Sequence, residues 1–330
     1  MNERFMVRKK IAVVAGGDSS EWVISVKSAK NVWEALDREL FEPYIVTVKK
    51  EEWKTEGEYD INKNDFSFTG PDGAKMKFDY ALIMIHGTPG ENGILQGYFE
   101  LLGVPYSTCG VTVSALTFDK SLCKLAVSGV PGVNLARDIL LRRDDELDEE
   151  AITKLLGLPL FVKPNASGSS FGVTKVKRPE ELRQAVGEAF AESDSVILEE
   201  FIEGREVSHG IMIIDGEEYV LPVTELKTSN EFFDFEAKYT EGMTEEITPA
   251  DLPAEVERSL QRTTLGIYRK LGCRGVVRVD YIIKGDKPYF IEVNTVPGMS
   301  SGSIIPQQWA AAGISMKEAF TMIITNSVTK

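Results

Sequence analysis

Short apolar runs alternate with amphipathic stretches through the first hundred residues of the chain. The run at 11–15 is apolar throughout, which predicts a buried strand, and the stretch after it repeats apolar side chains at helical spacing. Strands are also predicted at 44–48 and 80–85, so residues 11–48 are predicted to form a βαβ unit. The inward face of the helix is predicted to carry Val26, Ala29, Val32, Trp33, Leu36 and Leu40. This pattern predicts a small α/β domain whose strand ends carry ligand-facing loops.

Further units follow, and the pattern changes around residues 109–120. Beyond that point, helices are predicted at 119–130 and 179–193, and strands at 139–141, 160–162 and 196–198. The last part of the chain predicts strands at 206–214, 276–283 and 289–294, a helix at 254–271 that ends at Gly272, and a helix near 315–324. The chain is therefore predicted to combine an α/β unit with α+β units.

Four polar side chains interrupt the two apolar strands near the C-terminus. The short polar link between these strands predicts a hairpin turn centred on residue 286. This centre places Asp280 opposite Glu292. It also places Arg278 opposite Asn294, and all four share one face because strand side chains alternate between faces. The opposite face is predicted to hold Val277, Val279, Tyr281, Ile291 and Val293.

The two opposed carboxylates predict a bound cation. Carboxylates that face each other across a strand pair are roughly 5 Å apart and repel each other, and a cation between them turns that repulsion into ligation. Oxygen atoms from Asp280, Glu292 and the amide of Asn294 suit Mg²⁺ that holds substrate phosphates. A solvated polar face with an ordinary ion pair is the alternative interpretation, and four such residues on one face favour the metal.

Composition and charge narrow the choice of partners. The chain has 330 residues, 43% of them hydrophobic and 27% charged, which is ordinary for a soluble globular protein of two or three domains. The formal net charge of −14 disfavours nucleic acid or an anionic membrane as the main partner, because phosphate groups need a basic surface. Three widely spaced cysteines form neither a disulfide framework nor a metal motif. There is no signal segment and no apolar run of about 20 residues, which predicts a cytoplasmic location.

A loop rich in small residues follows the predicted strand at 160–162. Successive backbone N–H groups of such a loop can bind phosphate, and Lys163 adds a positive charge at the strand end. The spacing is not that of a P-loop, and residues 16–20 do not form a GxGxxG motif. A flexible surface linker is the alternative interpretation, but the preceding strand and Lys163 favour phosphate binding.

Other segments carry weaker signals. Residues 199–206 follow a strand, and such a segment can present backbone donors and acceptors to adenine while Glu206 reaches the ribose hydroxyls. A charged loop is the competing interpretation. Residues 232–239 alternate aromatic and charged side chains, which is typical of a mobile lid but also fits a packed loop. His86, beside a glycine at a strand end, is a better site candidate than His209 within a strand. Together these features predict phosphoryl transfer from ATP to a small substrate.

Several segments match one family in the same order along the chain. The chain closely resembles the D-alanine–D-alanine ligases, which belong to the ATP-grasp superfamily. The resemblance covers residues 11 to about 325 and is carried by residues 16–21, 86–93, 96–97, 114–120, 163–172, 232–239, 278–280 and 292–299. The nucleotide motifs alone indicate ATP-grasp enzymes in general. The glycine motif at 16–21, together with Lys238 and Tyr239, makes the resemblance specific.

The resemblance implies a fold and a reaction. The fold is the three-domain ATP-grasp fold, with a Rossmann-like α/β domain at 1–108, a central subdomain at 109–198, and a C-terminal subdomain at 199–330 that carries the metal site and a lid loop at 227–246. In the implied reaction, ATP phosphorylates the carboxylate of one D-alanine, and the amine of a second D-alanine attacks the acyl phosphate. The products are D-alanyl-D-alanine for peptidoglycan precursors, ADP and phosphate.

The resemblance also implies a substrate site. Glu21 is expected to orient the ammonium of the first D-alanine and to bond with Ser169 and Tyr239, which closes the lid. Arg278 and the N–H of Gly298 are expected to bind the tetrahedral oxyanion. Arg278 is therefore interpreted as an oxyanion donor rather than as a structural partner of the carboxylates. Further substrate contacts are expected from His86, Ser303 and Ile304, of which Ser303 receives the carboxylate of the second D-alanine.

An ATP site with two Mg²⁺ ions is implied in the same way, and Mn²⁺ is expected to substitute. The metal ligands are expected to be Asp280, Glu292 and Asn294, with the ions bridging the phosphates. The ATP-binding residues are expected to be Lys120, Lys163, Gly168, Ser169, Ser170, Glu199, Glu200, Phe201, Ile202, Glu206 and Lys238. The resemblance further implies a homodimer that acts on D-alanine and ATP, with no nucleic-acid or membrane partner.

Two other functions compete with this interpretation. Another ATP-grasp amino-acid ligase would share the nucleotide motifs and use D-serine or D-lactate as its second substrate. A non-catalytic nucleotide sensor would lack Arg278 or a metal ligand. Relatives that make D-alanyl-D-lactate lack or replace the lid tyrosine, so Tyr239 favours an amine nucleophile. Phe233, Phe235 and Ile304 depart from residues common in the family, which affects lid packing and second-site selectivity rather than the reaction.

Overall fold

The part of the chain that the structure describes forms three large β-sheets and one small two-stranded sheet. The structure is a computed structural model that describes residues 7–19, 21–168, 171–228 and 244–326. In these residues no helix combines the length and the apolar character needed to cross a membrane.

The first sheet confirms the predicted βαβ unit. Strand β1 (Lys9–Gly16) lies parallel to β2 (Phe41–Lys49) and β6 (Tyr80–Ile83), and helix α1 (Trp22–Ala35) joins β1 to β2. Alternate residues of β1 pack into two different cores, which is why its apolar run is continuous. The other elements of this unit are β3 (Glu52–Thr55), β4 (Ser67–Thr69), β5 (Lys75–Lys77) and α2 (Ile94–Leu102).

Most of the predicted inward face of helix α1 is confirmed, because Ala29, Val32 and Leu36 lie in the core and Trp33 packs against it, but Val26 does not belong to that face. Val26 is 37% exposed, whereas Ser25 and Ser28 are fully buried. The two serines lie in line with the buried apolar stripe of the helix, which includes Ala29 and Val32. Their hydroxyl groups bond to the backbone of neighbouring strands and loops, so the buried face of this helix holds polar as well as apolar side chains.

The second sheet is antiparallel throughout and has the strand order β10-β9-β11-β8. On strand β9, Leu160 and Val162 pack into the core of this unit, while Phe161 and Lys163 point to the opposite face. The elements of this unit are β8 (Asp138–Arg142), α5 (Glu149–Leu156), β9 (Leu160–Pro164), β10 (Thr174–Val176), a short 3₁₀ helix (Pro179–Glu181), α6 (Leu182–Glu192) and β11 (Ser195–Glu200).

The third sheet has the order β15-β14-β12-β16-β17-β7, with β13 paired to β12. The helix at Ala254–Leu271 ends at Gly272, as predicted, and Gly272 adopts the left-handed conformation. The strands are β7 (Asn134–Leu135), β12 (Arg205–Ile214), β13 (Glu217–Val220), β14 (Thr224–Thr228), β15 (Thr244–Ile247), β16 (Val276–Lys284) and β17 (Lys287–Asn294). The helices of this part are α7 (Ala254–Leu271), α8 (Ile304–Ala311) and α9 (Met316–Thr325).

Packing between units does not follow the order of the sequence. Helices α3 (Val111–Phe118) and α4 (Lys120–Val127) pack on β17 and share the core of the third sheet, although the predicted boundaries placed them in the central unit. Their buried side chains, such as Cys123 and Val127, explain this, since they fit the core beneath α7. At the C-terminus, Trp309 of α8 and Phe320 of α9 join the core of the first sheet.

The β16–β17 hairpin confirms the predicted pairs, although the turn is one residue shorter than predicted. Asp280 lies opposite Glu292 and Arg278 opposite Asn294, but Lys284 pairs with Lys287 across a two-residue turn. A β-bulge next to Asp280 restores the register. The bulge also corrects one prediction, because Ile291 lines a cavity together with Glu292 instead of packing into the core with Val293.

Two glycine-to-alanine substitutions are expected to have opposite effects on stability. A Cβ atom on Gly210 of β12 would lie 2.4 Å from Oε1 of the buried Gln308 and 2.5 Å from Cδ1 of Ile305. Gly210→Ala is therefore expected to lower the free energy of unfolding by about 1–3 kcal/mol. Gly187→Ala, in an open position on α6, is expected to raise it by about 0.5–1 kcal/mol. Urea denaturation of both variants measures the two changes in unfolding free energy, and equal effects would contradict the close packing around Gly210.

Candidate functional site

Two adjoining cavities lie where the three sheets meet. The first has a volume of about 560 Å³ and the second about 420 Å³. Lys120, Ser167, Gly168 and Glu292 line both, so a ligand in one cavity can reach a ligand in the other through this shared wall.

The first cavity lies between the second and third sheets and combines apolar and charged walls. Its apolar lining includes Phe161, Ile202, Ile282 and Phe290, which is suitable for a flat ring. All the residues predicted to bind ATP that fall within the described ranges line this cavity: Lys120, Lys163, Gly168, Glu199, Glu200, Phe201, Ile202 and Glu206.

Glu199 joins two lysines beside this cavity. Its carboxylate is 2.6 Å from Nζ of Lys163 and 2.6 Å from Nζ of Lys124, which also contacts Asp138 at 2.7 Å. Burial alone would raise the pKa of Glu199, but the two lysines lower it to about 2. Lys163 is thus held as a cation in the cavity wall by a carboxylate, whereas Glu199 was predicted to contact the nucleotide itself.

The second cavity lies between the first and third sheets. All the residues predicted to bind substrate line it: Glu21, His86, Arg278, Gly298, Ser303 and Ile304. The loop after β9 closes on it, because a Cβ atom on Gly168 would lie 2.5 Å from Oε2 of Glu21. Residues far apart in sequence therefore surround one small volume.

Asp280 is bonded on both of its oxygens. Oδ1 accepts from Nε of Arg278 at 2.9 Å and from Oγ of Ser208 at 2.5 Å, and Oδ2 accepts from Nη2 of Arg278 at 2.8 Å and from Nδ2 of Asn294 at 2.9 Å. Burial alone would lower the pKa of Arg278, but Asp280 raises it. Arg278 is therefore a structural partner of this carboxylate, which corrects the interpretation of Arg278 as separate from the acidic residues.

The donor atoms of the predicted metal site fit Mg²⁺ in part. Asp280 and Glu292 offer hard oxygen atoms on adjacent strands, and Asn294 would present its oxygen after an amide rotation. No group of three or more histidine, cysteine or acidic side chains suited to a metal occurs in the described part of the chain. A metal here would therefore take further oxygen ligands from water or phosphate. Glu292 lines both cavities, so a metal ion bound to it could be reached by water or by phosphate from either cavity.

Comparison with known proteins identifies the family of the chain. Residues 10–109 match the model for the D-ala D-ala ligase N-terminus, and residues 127–325 match that for the D-ala D-ala ligase C-terminus. A D-alanine–D-alanine ligase from Parabacteroides distasonis is 49% identical over 327 residues, which cover 98% of each chain. The chain belongs to the D-alanine–D-alanine ligase family.

Solved structures of related ligases have the same fold. The VanG D-Ala:D-Ser ligase from Enterococcus faecalis aligns with a TM-score of 0.83 at 33% identity, over 98% of this chain and 100% of that one. A D-alanine–D-alanine ligase from Bacillus anthracis, complexed with ATP, aligns with a TM-score of 0.78 at 32% identity over 97% of both chains. These neighbours confirm the predicted mixed fold of the ATP-grasp type.

Some predicted residues of this ligase family lie outside the described ranges, and other residues at the site were not predicted. Ser169, Ser170, Lys238 and Tyr239 fall outside, as do Phe233 and Phe235.

Lys124, Ser208 and Glu91 were not predicted from the sequence as residues of the site. A lysine on the apolar stripe of the helix at 119–130 was a usable signal for Lys124. No signal in the sequence places Ser208 beside Asp280, because their contact depends on the order of the strands.

Glu91 is a buried acid in the wall of the second cavity. Burial and then the nearby Glu21 raise the pKa of Glu91 to about 8, although backbone N–H groups of Gly87 and Val296 that point at its carboxylate lower it. It occurs within the glycine-rich segment at 86–93 and links the first sheet to the segment that follows β17.

Glu199→Gln is expected to destabilise the protein by about 3 kcal/mol at pH 7, because it removes the carboxylate that holds the mostly buried Lys163 and leaves the buried Lys124 with Asp138 alone. The pKa of Glu199 is lowered from its ordinary 4.5 to about 2 by folding, so its contribution is complete above pH 4.5 and is lost as the pH falls toward 2. The difference in unfolding free energy between the two proteins, measured in urea, is expected to narrow over that range.

Glu200→Gln is the matched control for this substitution. Glu200 pairs with Arg137, whose side chain is 57% exposed, so its loss is expected to cost no more than about 1 kcal/mol. Equal losses for the two neighbouring variants would contradict the role assigned to the buried charges.

Proposed function

We propose that the protein joins two D-alanine molecules at the expense of ATP and releases D-alanyl-D-alanine, ADP and phosphate for peptidoglycan precursor synthesis. The main support is that two cavities, one suited to a nucleotide and one to a small amino acid, meet at Lys120 and Glu292 in a member of this ligase family. A phosphoryl group that is transferred from ATP to the amino acid would pass from one cavity to the other beside these two residues.

ATP is assigned to the first cavity. The adenine ring is placed between the apolar walls, with backbone contacts from Glu200 to Ile202, and Glu206 is placed at the ribose. Lys120, Lys163 and the loop at 168–170 are assigned to the phosphates, with further positive charge from Lys238 of the lid loop. Two Mg²⁺ ions, or Mn²⁺ in their place, on Asp280, Glu292 and Asn294 would neutralise the phosphate charge.

The first D-alanine is assigned to the second cavity. Glu21 is assigned to the ammonium group of this D-alanine and, with Ser169 and Tyr239, to the bonds that close the lid. The carboxylate of the D-alanine is then placed toward Lys120 and Glu292. Closure keeps water from the acyl phosphate, which would otherwise hydrolyse before the second substrate attacks.

Arg278 has a double role in the second step. The guanidinium group has five N–H donors, and Asp280 takes two of them. Donors therefore remain on a group that lines the second cavity and that Asp280 holds in a fixed orientation. These donors and the N–H of Gly298 bind the oxyanion formed when the amine of the second D-alanine attacks. The carboxylate of that D-alanine is assigned to Ser303, at the N-terminus of α8, where the helix dipole favours a negative charge.

D-serine is the alternative second substrate. The structural similarity to a D-Ala:D-Ser ligase supports it, and Ile304 in the wall of the second cavity is the residue expected to influence the choice. We also propose that the enzyme is a cytoplasmic homodimer, as implied by its resemblance to the family.

Purified protein with ATP, Mg²⁺ and D-alanine is expected to release phosphate and D-alanyl-D-alanine in equal amounts. A coupled phosphate assay and mass spectrometry measure the two products, and omission of D-alanine is the control. In mixtures with D-serine or D-lactate, the D-alanyl-D-alanine product is expected to predominate. If neither phosphate nor dipeptide forms, the proposed function is wrong.

Tyr239→Phe is expected to raise the ratio of D-alanyl-D-lactate to D-alanyl-D-alanine severalfold in a mixture of D-lactate and D-alanine. The reason is that the hydroxyl of Tyr239 is assigned to the hydrogen bonds with Glu21 and Ser169, and the presence of this tyrosine is what favours an amine nucleophile. Tyr219→Phe, which removes a hydroxyl bonded to Glu217 on the exposed surface, is the control. An unchanged product ratio in the Tyr239 variant would count against the role of the lid.

A further inference from the structure

The segment 296–299, which contains Gly298, is held by side chains of the N-terminal α/β unit. The backbone carbonyl of Val296 accepts a hydrogen bond from Nδ1 of His86 at 2.9 Å, and its N–H donates to Oε1 of Glu91 at 3.3 Å. Glu91 also accepts from the N–H of Gly87 at 2.8 Å, which ties it to the residue next to His86. Both backbone groups of Val296 are therefore bound from across the unit boundary.

The other end of the segment is held by helix α1. The N–H of Met299 donates to Oγ of Ser28 at 3.2 Å, and its carbonyl accepts from Nδ2 of Asn31 at 2.6 Å. Ser28 and Asn31 are three residues apart, so both side chains lie on the same face of the helix. Gly298 lies between two residues whose N–H and C=O groups are all bonded to the N-terminal unit.

Ser28 and His86 close these contacts into a ring of hydrogen bonds. Oγ of Ser28 lies 3.4 Å from Nε2 of His86. A carbonyl oxygen only accepts, so Nδ1 of His86 carries the proton that it donates to Val296. Nε2 of the neutral ring then accepts from the Ser28 hydroxyl, whose oxygen accepts from Met299. Burial lowers the pKa of His86 despite the nearby Glu21, in keeping with a neutral ring.

We propose that Ser28 and His86, assisted by Glu91, are positioning residues that hold the N–H of Gly298 at the place where the oxyanion forms. The proposal rests on the ligase function proposed above and assigns to His86 a role other than binding the substrate. Both ring nitrogens of His86 have protein partners, and only 6% of its surface is exposed to the cavity. Ser28 is fully buried and does not line the cavity, so it affects a reaction only through the residues that it holds.

The kinetic test compares two buried serines of α1. Ser28→Ala removes the link between Met299 and His86, and kcat for dipeptide formation is expected to fall by about 10- to 100-fold, less than complete loss of an oxyanion donor. KM for ATP is expected to stay within about twofold, because the nucleotide cavity is unchanged. Ser28→Thr, which keeps the hydroxyl group, is expected to recover most of the activity.

Ser25→Ala is the control for loss of stability. Ser25 lies one turn earlier, is equally buried, and makes two hydrogen bonds of 2.8 Å, to the N–H of Gly16 and the carbonyl of Met84, both within the first sheet. The Tm of Ser25→Ala is expected to fall by about as much as that of Ser28→Ala, whereas its kcat is expected to change little. If Ser28→Ala keeps its kcat, or loses no more than Ser25→Ala, the proposal is wrong while the ligase function stands. Absence of dipeptide from the wild-type protein would overturn both.

Nitrogen NMR tests the ring of hydrogen bonds without the reaction. The chain has two histidines, and they are expected to show opposite tautomers. His86 carries its proton on Nδ1, whereas His209 donates from Nε2 to the carbonyl of Leu221 at 2.9 Å. Ser28→Ala is expected to shift the Nε2 signal of His86 and to leave His209 unchanged. A proton on Nε2 of a neutral His86 would overturn the proposed arrangement.

Discussion

The pairing of buried charges is the constraint on which this site depends. An ion removed from water costs several kcal/mol unless an opposite charge and hydrogen bonds compensate it. Glu199 holds Lys124 and Lys163 beside the first cavity, and Asp280 holds Arg278 beside the second. Each cation is therefore kept where its carboxylate places it. A phosphate or a carboxylate that enters the cavities meets positive charges already in position, and this is the arrangement by which enzymes stabilise developing charge without reorganisation.

The site also requires that three sheets pack together. The first sheet supplies Glu21 and His86, the second supplies Lys163 and Gly168, and the third supplies Arg278 with the metal ligands that we propose. Because no sheet holds a complete set, a small shift between units separates groups that must act together. The bonds from α1, His86 and Glu91 to the segment at 296–299 limit such a shift at the position of Gly298.

Much of the fold and part of the site could be predicted from local pattern. The βαβ unit and the pairs Asp280–Glu292 and Arg278–Asn294 are confirmed. The pairing was predicted from a turn centre that is wrong by half a residue, and a bulge beside Asp280 compensates for the error. Because the bulge breaks the alternation of faces, the position of Ile291 was predicted wrongly. A bulge depends on how the strand fits its neighbours, and alternation along one strand does not reveal it. On the inward face of α1 only Val26 was placed wrongly, and Ser25 and Ser28 were missed because they are buried through bonds to backbone groups from elsewhere.

The sequence by itself determined the elements, the family, and the chemical types that line the two cavities. These depend on periodicity and on short motifs, in which the interacting residues are close in the chain. The tertiary structure alone decided which polar groups meet: Lys124 with Glu199, Ser208 with Asp280, and Ser28 with His86 and Met299. Such partners are separated by tens to hundreds of residues, and their contacts follow from strand order and from the packing of one sheet on another. Local pattern does not encode that order, because the same alternation of apolar and polar residues fits many arrangements of strands.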